Sequence, residues 1–263
     1  MKIHFACLFG VDYDLDLLPA WARYYLDMNL DSYKIFLHRE HESVGENIKN
    51  EFKNYGFSIE CVKGPQGDGV LRKLIIGHYA GTLPPRDFLV TADADEFQSM
   101  PQSVSGAQFP LPPNYRELLK DKDIVSGYMV DRYADRLEAC FGNPFLQYPH
   151  EEPFTREILK NFTPPWLRNT TWPLTRRTKI LAARAGYDVG HDGAHCLLSV
   201  PSGAGIANDF MVYHFAWRES AKFKALVKSY YTKKNVDEMF ERKTVPDPLQ
   251  ALRGNSILEP CGN

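Results

Sequence analysis

The sequence predicts an α/β fold in a single domain, built on a parallel, doubly wound sheet. Three observations predict it. Strand-like and helix-like segments alternate in three successive units over the first 97 residues, which is the pattern of strands joined by crossover helices. The length of 263 residues suits one domain with an extension. The 44% apolar and 24% charged content is close to that of globular proteins and predicts a buried core.

The first half of the domain, residues 1–97, supplies these alternating elements. A mostly apolar run over 2–9 has the length of a buried strand. A helix is expected after Asp16, because apolar residues then recur at helical spacing. Further strands are predicted over 33–37, 57–62 and 87–92, and further helices over 44–55 and 70–79. Parallel sheets bind ligands beyond the C-terminal ends of their strands, so functional residues are expected there.

The second half, residues 98–234, is less regular. It begins with a connection over 98–113 that is rich in Pro, Ser, Gly and Gln, and a loop over 141–175 contains six prolines and two tryptophans. A long loop of this kind inside one domain is usually functional. Helices are predicted over 115–120 and 220–234, and strands over 123–130, 178–183 and 210–217. Residues 235–263 are assigned to a C-terminal tail, which leaves 1–234 as the domain.

Charge and composition argue against several classes of protein. The 31 Lys and Arg residues nearly balance 33 Asp and Glu residues, so nucleic acid is not an expected partner. No apolar stretch is long enough to span a bilayer, so no integral membrane segment is expected. The basic helix predicted over 220–234 could dock on a membrane surface or pack against the domain. The five scattered cysteines argue against a disulfide framework and favour a cytoplasmic location.

Two carboxylates, Asp93 and Asp95, directly follow the strand predicted over 87–92. On an extended backbone, residues i and i+2 point the same way, so both carboxylates would reach one point. Oxygen ligands suit hard cations such as Mg²⁺ or Mn²⁺, which would bridge these carboxylates to a diphosphate. A solvated acidic turn is the alternative. The position at the end of a predicted buried strand favours a ligand site.

The segment FLVTADADEF, residues 88–97, resembles the Asp-x-Asp segment of GT-A-fold glycosyltransferases, in the family 2-like group whose motif reads Asp-x-Asp-Glu-Phe. Two other segments support the resemblance. Residues 17–38, LLPAWARYYLDMNLDSYKIFLH, are similar to the first helix and second strand of that group, and residues 211–220, MVYHFAWRES, to its C-terminal histidine strand. The resemblance implies a GT-A fold, with a Rossmann-like nucleotide-binding sheet in 1–97 and an acceptor-side extension in 98–234.

The resemblance also implies a reaction and a metal cofactor. The expected enzyme transfers a sugar from a nucleotide-sugar donor to a hydroxyl of a glycan or glycoconjugate acceptor, with inversion. Mn²⁺ or Mg²⁺ would lie on the donor diphosphate. Asp93 and Asp95 match the aspartates that hold this metal, and His214 matches a histidine that often completes the metal site. An ordinary half-buried strand histidine is the alternative for His214.

Other site residues follow from the resemblance and from the chemistry. Asp12, at the end of the first strand, and Arg72 and Lys73, on the helix before the motif, match positions that commonly meet the nucleotide. The two basic residues could equally lie on a solvated helix face. An inverting transfer needs a carboxylate that accepts the proton of the acceptor hydroxyl. Asp131 and Asp192 are the candidates for this base, and a solvated loop carboxylate is the alternative for each.

Two other functions remain open. A nucleotidyltransferase would share a nucleotide-binding half and a metal-holding carboxylate, but such enzymes usually carry a glycine-rich, basic segment after the first strand, and residues 8–16 are acidic. A non-catalytic carbohydrate-binding protein would stack sugar rings on the aromatic side chains of the 141–175 loop, yet it would not need the aspartate pair. His191, His195 and Cys196 have no second pair of ligands beside them in sequence, which disfavours a zinc site.

Overall fold

The centre of the structure is a mixed β-sheet. A computed structural model describes residues 1–39, 43–63, 69–100, 109–133, 142–151, 178–187 and 201–215. In chain order, the described strands are β1 (Ile3–Gly10), β2 (Ser32–Arg39), β3 (Ser58–Lys63), β4 (Phe88–Thr91), β5 (Glu96–Ser99), β6 (Ile124–Tyr133), β7 (His150–Glu151), β8 (Thr178–Arg184) and β9 (Ile206–His214). The described helices are α1 (Leu18–Leu26), α2 (Glu46–Asn54), α3 (Gly69–Thr82), α4 (Tyr115–Leu118) and α5 (Pro144–Gln147).

The first four strands form the predicted Rossmann-like half. They lie in the order β3-β2-β1-β4, and each neighbouring pair is parallel. The chain moves outward from β1 to β3 and then returns to the other side of β1, so β1 and β4 flank a topological switch point. In sheets of this type, ligands bind beyond the C-terminal ends of the strands at that point. The sequence prediction of an α/β fold with this half is confirmed.

Helices cover both faces of the parallel half, as a doubly wound sheet requires. Side chains alternate along β1, so Phe5 and Phe9 lie on one face and Ala6 lies on the other. The first face packs on Trp21 of α1 and on α2, and the second packs on Ile76 of α3. Because both of its faces are buried, β1 is a nearly continuous apolar run in the sequence.

The second half extends the same sheet with strands of mixed direction. Beyond β4 the order continues as β8-β6-β9-β5, and β7 pairs with β6 outside this path. Strand β8 is antiparallel to both β4 and β6, whereas β6 and β9 are parallel to each other. The N-terminal end of β8 therefore lies beside the C-terminal end of β4. This arrangement brings residues of the second half to the switch point.

Strand β5 was not predicted, because Gln98 was placed in the polar connection predicted over 98–113. The structure instead buries Gln98 completely and satisfies its polar groups. Its amide nitrogen donates to the carbonyl of Thr91 at 2.6 Å, and its amide oxygen accepts from the hydroxyl of Tyr115 at 2.5 Å. The hydroxyl of Tyr24 donates to its carbonyl oxygen. Buried polar groups that are paired in this way are tolerated in a sheet.

Several predicted segments lie wholly or mainly outside the described residues. The helix over 220–234 and the tail over 235–263 are among them, as is most of the loop over 141–175. The described part of that loop contains α5 and β7. Among the helices that the structure describes, none combines the length and the apolar character needed to cross a bilayer.

Candidate functional site

The acidic segment lies beyond the C-terminal end of β4, as predicted, and therefore at the switch point, but its backbone is a turn and not an extended strand. Strand β4 ends at Thr91, and the amide of Glu96 donates to the carbonyl of Asp93 at 3.2 Å. In return, the amide of Asp93 donates to the carboxylate of Glu96 at 3.1 Å. We call residues 93–96 the acidic turn. The i and i+2 argument for Asp93 and Asp95 therefore does not apply, because its extended backbone is absent here.

Asp93 forms two ion pairs. Its Oδ1 lies 3.0 Å from Nε of Arg72 on α3, and its Oδ2 lies 2.6 Å from Nζ of Lys179 on β8. The side chains of Arg72 and Lys179 are buried, whereas that of Asp93 is 31% exposed. Asp93 is thus the member of this cluster that faces solvent. The Arg72 side chain is 8% exposed, so it does not lie on a solvated helix face, which was the alternative to the predicted contact with the nucleotide.

Lys179 also contacts the end of the acidic turn. Its ammonium lies 2.8 Å from Oε1 of Glu96, whose side chain is 2% exposed. One buried cation therefore bridges the first and last residues of the turn. Buried ammonium groups are rare in proteins unless they are paired, and here two carboxylates provide the pairing.

The charges of this cluster shift the pKa values of Asp93, Glu96 and Lys179. Burial alone would raise the pKa of Asp93, but the positive charges of Arg72 and Lys179 outweigh it and hold that pKa well below its usual range. Burial, together with the negative charge of Asp93, raises the pKa of Glu96. Burial would lower the pKa of Lys179, yet the carboxylates of Asp93 and Glu96 raise it. Lys179 is therefore a permanent ammonium at neutral pH.

Asp95 points to a different partner, His214. Oδ2 of Asp95 lies 3.4 Å from Nε2 of His214, and their side chains are 3% and 20% exposed. The backbone reinforces this contact, since the amide of Phe215 donates to the carbonyl of Asp95 at 2.8 Å. Glu96 and His214 are also register partners in the β5–β9 ladder. The structure thus brings together Asp95 and His214, which the sequence places in opposite halves of the domain.

Of the other predicted site residues, Asp12 and Asp131 lie near the C-terminal ends of their strands, at the same edge of the sheet. Asp12 follows β1, and its Oδ1 lies 2.8 Å from Nε of Arg39 at the end of β2. Asp131 lies on β6 as the register partner of His214. Lys73 lies on α3. The side chains of Asp131 and Lys73 and the whole of Asp192 fall outside the described part of the structure.

Two residues of the site were missed by the sequence analysis. Lys179 was placed in a strand over 178–183 but was given no role, although a lone lysine in an otherwise apolar strand calls for a buried carboxylate. Trp21 was treated only as a helix residue. Its indole N–H donates to the carbonyl of Asp93 at 3.2 Å, so α1 also holds the acidic turn.

The described side chains offer two neighbouring ligand atoms, those of Asp95 and His214, to a divalent cation. The Asp95 oxygen and the His214 nitrogen are close enough to be neighbouring ligands of one ion, since Mg²⁺ binds its ligands at about 2.0–2.1 Å. Both oxygens of Asp93 already carry ion pairs. Within the described ranges, no three His, Cys, Asp or Glu side chains are placed to share an ion. The predicted set of Asp93, Asp95 and His214 is not assembled as one group here, whereas the pair Asp95 and His214 is.

Comparison with known proteins assigns no family. No protein-family model matches the chain, and no curated protein matches it. Solved structures to which the chain is similar include HddC from Yersinia pseudotuberculosis, with a TM-score of 0.38 and 10% sequence identity over 87% of this chain and 100% of that chain. A likeness this distant assigns neither a family nor a reaction. The function must therefore be inferred from the site.

Proposed function

We propose that this chain is a GT-A-type glycosyltransferase that moves a sugar from a nucleotide-sugar donor to a hydroxyl of a glycan or glycoconjugate. One observation supports the proposal most strongly. The acidic turn lies at the switch point of a Rossmann-like sheet, and its Asp95 meets His214 there at 3.4 Å. This is the place where a doubly wound sheet binds nucleotides.

The proposed cofactor is Mn²⁺ or Mg²⁺, held by Asp95 and His214. When bound, such an ion supplies positive charge that stabilises a leaving diphosphate. Arg72 adds a second positive charge at the same edge of the sheet, from a side chain that is 8% exposed. A basic side chain at this place suits the phosphates of a nucleotide sugar.

The proposed transfer is inverting and needs one proton acceptor. A carboxylate takes the proton of the acceptor hydroxyl, whose oxygen bonds to the anomeric carbon of the sugar. The bond from that carbon to the nucleoside diphosphate breaks, and its electron pair stays on the leaving oxygen. Asp131 is the candidate base among the described residues, because its backbone is the register partner of His214 on β6. Asp192 is the other candidate.

A donor screen tests this function. We expect the wild-type protein to hydrolyse at least one nucleotide sugar in a panel when Mn²⁺ is present, and to lose this activity in EDTA. Asp95→Asn should abolish the hydrolysis without unfolding the protein. Asp209→Asn is the matched control, because it makes the same substitution at an exposed position on β9. Full activity of Asp95→Asn would contradict the assignment of the site.

Two outcomes would contradict the function itself. The first is the absence of hydrolysis across the whole panel, together with no rise in Tm when nucleoside diphosphate and Mn²⁺ are added, since a ligand that binds the folded state must raise Tm. The second is release of pyrophosphate from a nucleoside triphosphate and a sugar 1-phosphate. That result would assign the protein to the nucleotidyltransferases.

A further inference from the structure

Lys179 is a buried cation between two residues of the acidic turn, and the proposed function gives it no chemical step. We propose that Lys179 is a positioning residue: its ammonium fixes Asp93 and Glu96 so that Asp95 faces His214. This role rests on the proposed function, because it concerns how the metal-holding pair is kept in place. It also assigns Asp93 to the support of the turn and not to the ion.

The acidic turn is closed by contacts between its two ends. Asp93 and Glu96 exchange two hydrogen bonds, of 3.1 and 3.2 Å, and Lys179 lies 2.6 and 2.8 Å from their carboxylates. The ends of the turn are thereby held to each other and to β8. Asp95 lies between these ends, so its backbone follows from theirs.

His214 is anchored independently of the acidic turn. Strand β9, which carries it, pairs with both β6 and β5. His214 therefore has a fixed position in the sheet. The carbonyl of Asp95 is held to β9 by the amide of Phe215 at 2.8 Å, and the rest of its backbone depends on the conformation of the turn. Lys179 holds both ends of that turn and so helps to keep the Asp95 and His214 side chains 3.4 Å apart. Residues that support a metal ligand in this way commonly affect affinity nearly as much as the ligand itself.

Both carboxylate oxygens of Asp93 form ion pairs. Arg72 lies 3.0 Å from one of its oxygens and Lys179 lies 2.6 Å from the other. A divalent cation that used Asp93 as a ligand would share this carboxylate with both positive side chains. The cation would also lie beside two positive groups, which opposes its binding. Asp93 therefore serves as the counter-ion of Arg72 and Lys179.

Mn²⁺ titration followed by electron paramagnetic resonance tests the proposal on the full chain. We expect Lys179→Met to weaken Mn²⁺ affinity about 10- to 100-fold, the range found when groups supporting a metal ligand are removed. Lys34→Met is the matched control, since Lys34 makes a surface ion pair with Glu60 at 2.9 Å on β2 and β3. Its Mn²⁺ affinity should equal that of the wild type.

A double variant separates positioning from folding. Lys179→Met leaves Glu96 as a buried carboxylate without this cation, so the single variant is expected to lose stability. Adding Glu96→Gln removes that charge, and Asp93 keeps Arg72. We expect the double variant to recover most of the wild-type Tm but not its Mn²⁺ affinity. A folded double variant that binds Mn²⁺ as the wild type does would overturn the positioning role.

A measurement without metal makes the two proposals distinguishable. The ¹⁵N chemical shifts of the His214 ring, assigned with a His214→Gln variant, report whether Asp95 still contacts Nε2. We expect these shifts to change in the double variant and to stay constant in Lys34→Met. If they stay constant in both, the positioning role is wrong. If they change while the wild-type protein binds no Mn²⁺ even with nucleoside diphosphate, the positioning role stands and the metal-dependent function fails.

Discussion

Nε2 of His214 lies 3.4 Å from Oδ2 of Asp95, although the two residues come from opposite halves of the domain. The contact exists because β9 pairs with β5, which begins immediately after Asp95. The acidic turn is a local structure, whereas the β5–β9 pairing joins distant parts of the chain, and the two are adjacent at this contact. The imidazole is half-buried and neutral imidazole is a competent metal ligand, so the pair can hold a cation at the edge of the sheet.

Replacing His214 by alanine should separate binding from stability. We expect His214→Ala to weaken Mn²⁺ affinity and donor hydrolysis about 10- to 100-fold, because one of the two proposed protein ligands is lost. The free energy of unfolding should change by about 1 kcal/mol or less, the usual effect of substitutions outside the core. Isothermal titration with Mn²⁺ and a thermal melt measure the two quantities. His78→Ala, at an exposed position on α3, is the control and should change neither.

An early-melting His214→Ala variant with normal activity per folded molecule would contradict this assignment. His214 would then be a histidine of the core, and the proposed ion would lose its nitrogen ligand. The sequence is compatible with both roles of His214, a metal ligand and a core histidine, and this measurement decides between them.

Gly127 on β6 should be intolerant of any side chain. A Cβ at this position would lie 2.9 Å from the carbonyl oxygen of Phe210 and 3.1 Å from Cδ1 of Leu181. Strands β6 and β9 would have to move apart, and overpacking of this kind costs about 1–3 kcal/mol. We expect Gly127→Ala to lower the free energy of unfolding by that amount in a urea titration.

The control for this substitution is the same change on a helix. A Cβ added to Gly81 on α3 would meet no atom within 4 Å outside its own helix and chain neighbours. Gly81→Ala should therefore stabilise the protein by about 0.5–1 kcal/mol, because alanine favours the helix more than glycine does. Equal effects of the two substitutions would show that the close approach of β6 and β9 is absent in solution.

The parallel half of the sheet could be predicted from the sequence because local patterns mark each of its strands and helices. Each of the first three strands is followed by a helix, and apolar runs mark the buried strands. The position of Asp93 and Asp95 beyond β4 followed from the same pattern. Strand β5 could not be predicted this way, because its Gln98 is polar and becomes buried only through partners distant in the chain, such as Tyr115.

The ion pairs of the site required knowledge of strand pairing. Lys179 reaches the acidic turn because β8 runs antiparallel beside β4. Nothing in the residues around Lys179 specifies that neighbour, and the predicted sheet was described as parallel. The acidic turn likewise contacts Lys179 and the indole of Trp21, two residues that are distant from it in the chain. Sequence periodicity carries no information about contacts between residues that are distant in the chain.

The N-terminal strand should be stabilised by Asp87 in a pH-dependent way. Oδ1 of Asp87 accepts from the amide of Lys2 at 2.8 Å, and Oδ2 lies 3.3 Å from Nε2 of His4. The hydrogen bond from Lys2 lowers the pKa of Asp87 most; burial opposes this effect, and His4 and the terminal ammonium of Met1 reinforce it. A carboxylate whose pKa is lower in the folded state stabilises that state above its unfolded pKa of about 3.9.

The measurement compares the Tm of the wild type and of Asp87→Asn from pH 7 to pH 2. We expect the wild type to melt higher at pH 5–7, and the difference to shrink as the pH falls below about 4, because Asp87 then becomes protonated. Asp121→Asn, at an exposed position before β6, is the control that makes the same substitution away from Asp87. A Tm difference that is constant across the whole range would contradict the ionic role of Asp87.

Trp21 provides the test of whether α1 or β8 determines the position of the acidic turn. Its indole N–H donates to the carbonyl of Asp93 at 3.2 Å, and the hydroxyl of Tyr25 donates to the carbonyl of Glu96 at 3.0 Å. Trp21→Phe and Tyr25→Phe each remove one of these donors and keep an aromatic ring in the core. Each should lower the free energy of unfolding by about 1–3 kcal/mol in a urea titration, since a buried carbonyl loses a partner.

The effect of these two variants on metal binding should be small. The turn keeps its own hydrogen bonds and the contacts of Lys179, so we expect Mn²⁺ affinity to stay within about threefold of the wild type. A disturbed metal ligand would be expected to have a much larger effect. A tenfold or larger loss in either variant would mean that helix α1, and not Lys179 of β8, holds Asp95 against His214.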